Sequence, residues 1–256
     1  RQSRGVLWGA IESMVSGSPN RVDAPCEVFG RCGGCTWLHF RYPAHAQSKR
    51  RIVRDCLERI ARVETDVDWL EDPDRRLGYR TRAEFHGVGG SLGFYGLGSH
   101  QVIGIMQCPL CHPRLNEALR LLREARVSGP VEVTVNPEGD DTLLWSPNAN
   151  RVLADRFPAV QGPHTKGPRH RFLFDGVPVV CGAFSQASLL LNRRLKQRVH
   201  DHLAGARSVL DLYCGTGNLS LGIEAYVVGF DHNRAAVLAA REQGGGDYRT
   251  GDESSF

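Results

Sequence analysis

The chain has 256 residues, of which 41% are hydrophobic and 23% charged, and 32 Lys and Arg against 28 Asp and Glu give a formal net charge of +4. These are ordinary values for a globular protein of two domains, or of one domain with a small insertion. No apolar run approaches the length of a membrane span, and the opening RQSRGVLWGA has no signal-peptide core, so a cytoplasmic protein with no membrane partner is expected. The positive bias is weak, although the basic residues are mostly arginine, which forks onto phosphate better than lysine does.

Within residues 1–16, GVLWGAIESMV reads as one strand with no partner strand before it. GSPNRVDAP follows as a turn-forming stretch and ends at Cys26. In AHAQSKRRIVRDCLERIAR, the positions Ile52, Val53, Cys56, Leu57 and Ile60 fall on one helical face, and Lys49, Arg50, Arg51 and Arg54 crowd the first half. YRTRAEFHGVGGSLGFYGLGSHQVIGIMQC alternates and turns at glycines, which predicts a three-stranded antiparallel meander ending at Cys108. PRLNEALRLLREAR is a helix with Leu115, Leu119 and Leu122 on its apolar side. Short strands follow in PVEVTVN, TLLWS, HRFLFDG and VPVVCG, with a loop at VQGPHTKGPRH, then an amphipathic helix over 187–204. From 208 the pattern is a buried strand (SVLDL), a glycine turn, a short helix before Tyr226, a strand (YVVGFD), a helix (AAVLAARE) and a strand (DYRTGD). That alternation signals the start of a parallel, doubly wound α/β sheet.

Eight cysteines in a reducing compartment do not suggest a disulfide framework. Cys26, Cys32 and Cys35 stand in a C-x5-C-x2-C spacing, and Gly33 and Gly34 let Cys32 and Cys35 point at one centre. A fourth ligand is required, and Cys108 in CPLC is the best candidate. Thiolates suit zinc or an iron–sulfur cluster, and a close triplet with a distant fourth cysteine leans to the cluster. Cys56, Cys111, Cys181 and Cys214 read as small buried hydrophobes.

VLDLYCGTGNLSLG places Asp211 at the end of a strand, with Gly215 and Gly217 opening a tight turn where a ligand approaches closely. YVVGFD puts Asp231 at the tip of the second strand, where a carboxylate accepts ribose hydroxyls. The glycines do not form GxGxxG and no phosphate-binding lysine follows, so S-adenosylmethionine is favoured over a dinucleotide or a nucleoside triphosphate.

CEVFGRCGGCTWLHFRYPAHAQSKRRIV, YRTRAEF, QCPLCHPRLN, GAFSQAS and VLDLYCGTGN occur in that order, and together they resemble the S-adenosylmethionine-dependent RNA uracil-5-methyltransferases in their [4Fe-4S]-containing branch. The resemblance covers about residues 17–252. It implies a remnant of an N-terminal RNA-binding β-barrel over 1–16, a central β-rich domain with the iron–sulfur segment over 17–183, and the first part of a Rossmann-like methyltransferase domain over 184–256. It implies Cys26, Cys32, Cys35 and Cys108 as cluster ligands, and Gln186, Tyr213, Asn218, Asp231 and Asp252 as cofactor-binding residues. FSQAS departs from the family's usual FFQ followed by asparagine two residues on, a difference on the cofactor side.

The implied activity is methylation of uridine C5 in structured RNA, most of all 23S rRNA, by a monomer; the alternatives are tRNA or a non-catalytic RNA- and cofactor-binding module. In the family a cysteine attacks uracil C6 so that C5 can accept the methyl group, and a base then removes the C5 proton. That cysteine follows a DPPR-like motif and would lie beyond residue 256, as would the base; no cysteine follows Cys214, which sits in the cofactor turn. The segments between Asn218 and Tyr226 and around REQGGGDYRTGD are short for this family. Arg80 and Arg82, and the cluster from Lys49 to Arg54, are either RNA contacts or solvated surface. His39 reads as packing.

Overall fold

A computed structural model describes residues 2–3, 6–7, 9 and 11–251. The chain divides into two compact units, residues 1–29 with 35–69, and residues 30–34 with 70–256.

In the first unit, β1 (Gln2–Ser3) pairs antiparallel with β2 (Val6–Leu7). The single strand expected over GVLWGAIESMV is therefore shorter and has a partner, and Ile11, Met14 and Val15 stand exposed outside it. A strand extends only as far as a neighbour satisfies its backbone groups. Helix α1 (Tyr42–Cys56) starts with proline in its first turn and runs into a π-helical turn, Leu57–Ala61, that stops at Arg62 in a left-handed conformation with φ of 57°. The helix is where the periodicity put it, but its apolar face is not buried: Ile52, Val53 and Ile60 are exposed, and Ala44 is the buried residue of α1.

The second unit is built on a six-stranded sheet of order β5-β4-β3-β6-β7-β8, formed by β3 (Arg82–Val88), β4 (Ser91–Tyr95), β5 (Val102–Gly104), β6 (Gly129–Val135), β7 (Thr142–Trp145) and β8 (Val160–Gln161). Its pairs are antiparallel except β7 with β8. The expected meander is β3-β4-β5. Its strands approach so closely that a Cβ at Gly93 would stand 1.9 Å from the Ile103 carbonyl oxygen, so no other residue fits there. Helix α2 (Pro113–Glu124) buries Leu115, Leu119 and Leu122 completely, and Phe85, Val131, Val133 and Leu144 of the sheet are equally buried. Burying each such side chain is worth about 1.5–3 kcal/mol.

A short α3 (Arg151–Ala154), the hairpin of β9 (Arg171–Phe174) with β10 (Val177–Val180), and α4 (Leu189–Leu203) lead to a parallel sheet of β11 (Ser208–Leu212), β12 (Tyr226–Asp231) and β13 (Asp247–Thr250). Helix α5 (Arg234–Gln243) joins β12 to β13 and buries Ala236, Val237, Ala239 and Ala240. Two expectations fail here. β11 is not buried, because it is the edge strand and only the Val209 side packs with the α5 cluster; Leu210 is 55% and Leu212 44% exposed. Residues 213–225, which connect β11 to β12, form tight turns and no helix, since so few residues cannot both complete a helix and cross back. Among the described residues, no helix is long and apolar enough to cross a membrane.

Candidate cofactor site

The turn after β11 is held in an unusual backbone. Tyr213 has φ of 60°, which costs a non-glycine residue on the order of 1 kcal/mol or more, and the residue is 65% exposed. Gly217, with φ of 74°, leaves no room for a side chain, since a Cβ would meet Leu221 Cγ at 2.7 Å. Asp231 lies at the tip of β12 and braces the turn: its carboxylate accepts from the backbone N–H of Gly215 (2.8 Å) and of Asn233 (2.7 Å). Asn233 in turn caps α5 by accepting from the N–H groups of Ala235 and Ala236. Asn218 is fixed by a reciprocal amide pair with Asn192 of α4, donating to it at 3.1 Å and accepting from it at 2.7 Å.

Gln186, Tyr213 and Asn218 line one cleft of about 150 Å³ together with Asn192, Lys196 and Asp211. Small-ligand sites usually enclose about 300–1,000 Å³, so the cleft suits one end of a nucleoside thioether. Asp231 does not line it but is bonded to its wall at Gly215. Asp252 lies outside the described residues.

Asp211 has one carboxylate oxygen, Oδ2, buried without a hydrogen-bond partner. Burial pushes this carboxyl above the ordinary range, a hydrogen bond from Ser220 opposes the shift, and the Asp231 charge adds to it. An unsatisfied acceptor beside a cleft fits a ligand that brings a cation, as the ammonium of S-adenosylmethionine would. Lys196 donates to the Asp175 carbonyl at 3.1 Å, and burial lowers its pKa while Asp175 opposes. Burial first, then Asp211 and Asp231, push the Cys214 thiol up to about 12, and the side chain packs in the core. Asp211, Asn192 and Lys196 were not among the residues predicted to bind. Only Asp211 carried a signal in the sequence, through its place at the end of the strand before the glycine turn.

The cysteines predicted to hold a metal are shared between the units: Cys26 and Cys35 in the first, Cys32 and Cys108 in the second. Among the described residues, no group of three or more His, Cys, Asp or Glu side chains is arranged to hold a metal ion. The second unit nevertheless prepares its thiols. The CPLC turn is clamped by Asn116, which accepts from Cys108 N–H at 2.8 Å and donates to the carbonyls of Cys108 and Cys111 at 3.0 and 3.2 Å. A hydrogen bond from the Cys111 thiol pulls Cys108 down to about 6 against its burial and keeps Cys111 itself protonated, well above the ordinary thiol range. The Gly34 N–H points at Cys32 Sγ at 3.4 Å, and a Cβ on Gly34 would meet Phe94 at 3.1 Å. This is thiolate chemistry of the kind a metal or cluster takes. Cys111 and Cys181 are buried as expected, but Cys56 is exposed because its helix face is uncovered.

The arginines of YRTRAEF are committed within the second unit. Arg80 donates to the Gly34 carbonyl at 3.2 Å and lies over the Phe94 ring, and Arg82 pairs with Glu132. In the first unit, Lys49 lies over the rings of Trp37 and Trp69 at 5.5 and 6.0 Å, and Arg50 donates to the Val67 carbonyl. His39 packs against Phe29.

No protein-family model matches the chain. The chain is 26% identical to an uncharacterized RNA methyltransferase of Thermotoga maritima, over 94% of its own length and 66% of the relative's. It is 29% identical to another of Gloeobacter violaceus, over 92% and 64%, and 29% identical to one of Brucella suis, over 91% and 62%. It thus spans just under two thirds of the length of these curated relatives. The Thermotoga alignment extends over 291 positions, more than the 256 residues of the chain, so that relative has internal segments absent here. Among solved structures, the chain is similar to the Pyrococcus abyssi tRNA (uracil-54, C5)-methyltransferase in complex with S-adenosyl-L-homocysteine, with a TM-score of 0.70 over 94% of this chain and 68% of that one, at 17% identity. The mixed α/β fold with its large sheet is therefore similar to that of this methyltransferase structure.

Proposed function

We propose that the chain is the cofactor-binding part of an S-adenosylmethionine-dependent RNA methyltransferase that modifies C5 of uridine in structured RNA. The observation that carries the reading is the cleft that Gln186, Tyr213 and Asn218 line together with Asp211, whose carboxylate has one oxygen without a hydrogen-bond partner. Bound there, the cofactor would supply a methyl group on a sulfonium. Asp211 would receive its ammonium, Gln186 and Asn218 would hold its polar end, and Tyr213 would offer a ring face to it. Asp231 would receive the ribose hydroxyls while bracing Gly215, and Asp252 would stand by the adenine. No catalytic residue is assigned within this chain.

On the same proposal the chain divides into residues 1–16, 17–183 and 184–256, the protein is cytoplasmic, and Cys26, Cys32, Cys35 and Cys108 hold a [4Fe-4S] cluster. Support for the cluster is the lowered Cys108 thiol and the glycines beside Cys32. Its role would be structural or in RNA recognition, since this methyl transfer needs no electron. The favoured RNA is 23S rRNA, on the resemblance to the cluster-bearing branch; tRNA is the second reading, because the similar solved structure acts on tRNA.

The test is incubation of the whole protein that contains this chain with methyl-labelled S-adenosylmethionine and unmodified 23S rRNA or tRNA transcripts, followed by nucleoside analysis. Label in 5-methyluridine from 23S rRNA is the expected result. Label from tRNA alone would select the second reading. Cofactor binding without label in either would select the non-catalytic module.

A further inference from the structure

The geometry of the motif YRTRAEF gives it a task other than RNA contact. Residues 181–188 run from the β9-β10 hairpin to α4, and the last five of them, 184–188, carry Gln186 into the cleft. Both sides of Gln186 are tied to the start of β3. On the near side, Arg82 Nη1 donates to the Ser185 carbonyl at 3.0 Å and its guanidinium lies 5.4 Å from the Phe184 ring. On the far side, the fully buried Thr81 donates its N–H to the Ala187 carbonyl at 2.8 Å, and its hydroxyl accepts from Leu189 N–H, the first residue of α4, at 3.1 Å. Arg82 is itself held by an ion pair with Glu132 of β6, each side chain 17% exposed.

We infer that Arg82 is a positioning residue for the cofactor: anchored on Glu132, it fixes the 184–188 loop so that Gln186 meets the ligand. The inference rests on the cofactor reading of the cleft. The planar fork of arginine reaches a carboxylate and a carbonyl together at a fixed angle, which a lysine ammonium at the end of a flexible stem does not. The Thr81 bonds are made by one backbone N–H and one hydroxyl, so the near side of Gln186 depends on Arg82.

The experiment titrates S-adenosyl-L-homocysteine calorimetrically into the wild-type chain, Arg82→Lys, Arg82→Ala, Gln186→Ala and the Arg82→Ala/Gln186→Ala double variant. It also follows amide hydrogen exchange of a peptide covering 184–188 without ligand. Arg82→Lys, which retains the charge, is expected to bind about tenfold more weakly and to exchange the loop amides about tenfold faster. The double variant is expected to bind no more weakly than Arg82→Ala, because a displaced loop has already withdrawn Gln186; a general loss of stability would instead make the two losses multiply. Binding within twofold of wild type in both Arg82 variants, multiplying losses, or unchanged loop exchange would overturn the clamp. A wild-type chain that does not bind would overturn the cofactor reading and with it the role of Gln186, and the exchange measurement would still judge the clamp on its own.

Discussion

Asp211 meets two opposed demands. Without a ligand, its raised pKa means that the folded protein favours the neutral carboxyl. That contribution is complete below the ordinary carboxylate range, and it is lost as pH rises through the raised value, so at neutral pH the ionised group costs stability. Asp211→Asn should therefore melt higher than wild type at pH 7, with the advantage fading towards pH about 4, and should lose S-adenosyl-L-homocysteine binding. A melting series from pH 4 to 8 with a parallel titration checks both, and a variant that melts lower at pH 7 would deny the cost. Asn192 presents a simpler case. Asn192→Leu removes both bonds of the amide pair and leaves Asn218 to turn away, which should cost about 1–3 kcal/mol in urea unfolding and weaken binding. At this scale, the sequence showed the glycine turn and the residues whose types suit the ligand. It did not show Asn192 or Lys196, because their roles come from α4 being laid beside the turn, a contact 26 residues away in the chain for the amide pair.

Elements are legible in the sequence where their partners follow closely along the chain. The α2 pattern of Leu115, Leu119 and Leu122 and the glycines of the β3-β4-β5 meander each encode one face and one neighbour, and the structure has both. Leu119→Ala, at a completely buried position, should cost about 2–5 kcal/mol through lost transfer energy and the cavity left behind; equilibrium denaturation measures it, and a loss below 1 kcal/mol would mean that the helix does not seal this core. Periodicity misled for α1 and β11. It tells which side of an element is apolar, but not whether anything covers that side. Ile52 and Val53 on α1 and Leu210 and Leu212 on β11 form good apolar stripes that remain exposed.

At the scale of the molecule, the change from an antiparallel sheet to alternating parallel strands is visible in the sequence, and the likeness to a methyltransferase structure agrees with it. Residues 213–225 join β11 to β12 without a crossover helix. Whether the four proposed cysteines meet is a question of the whole molecule. Anaerobically purified protein should contain about four iron and four acid-labile sulfide per chain and lose both in Cys108→Ser; stoichiometric zinc without sulfide would replace the cluster by a zinc site.

The proposed function depends most on the cleft between β11 and α4 being a cofactor site. Calorimetric titration of the chain with S-adenosyl-L-homocysteine tests this directly, with Asp211→Asn as the control. Saturable binding at one site per chain, lost in the variant, is the predicted result. No heat of binding to a folded wild-type chain, or equal binding by Asp211→Asn, would contradict it.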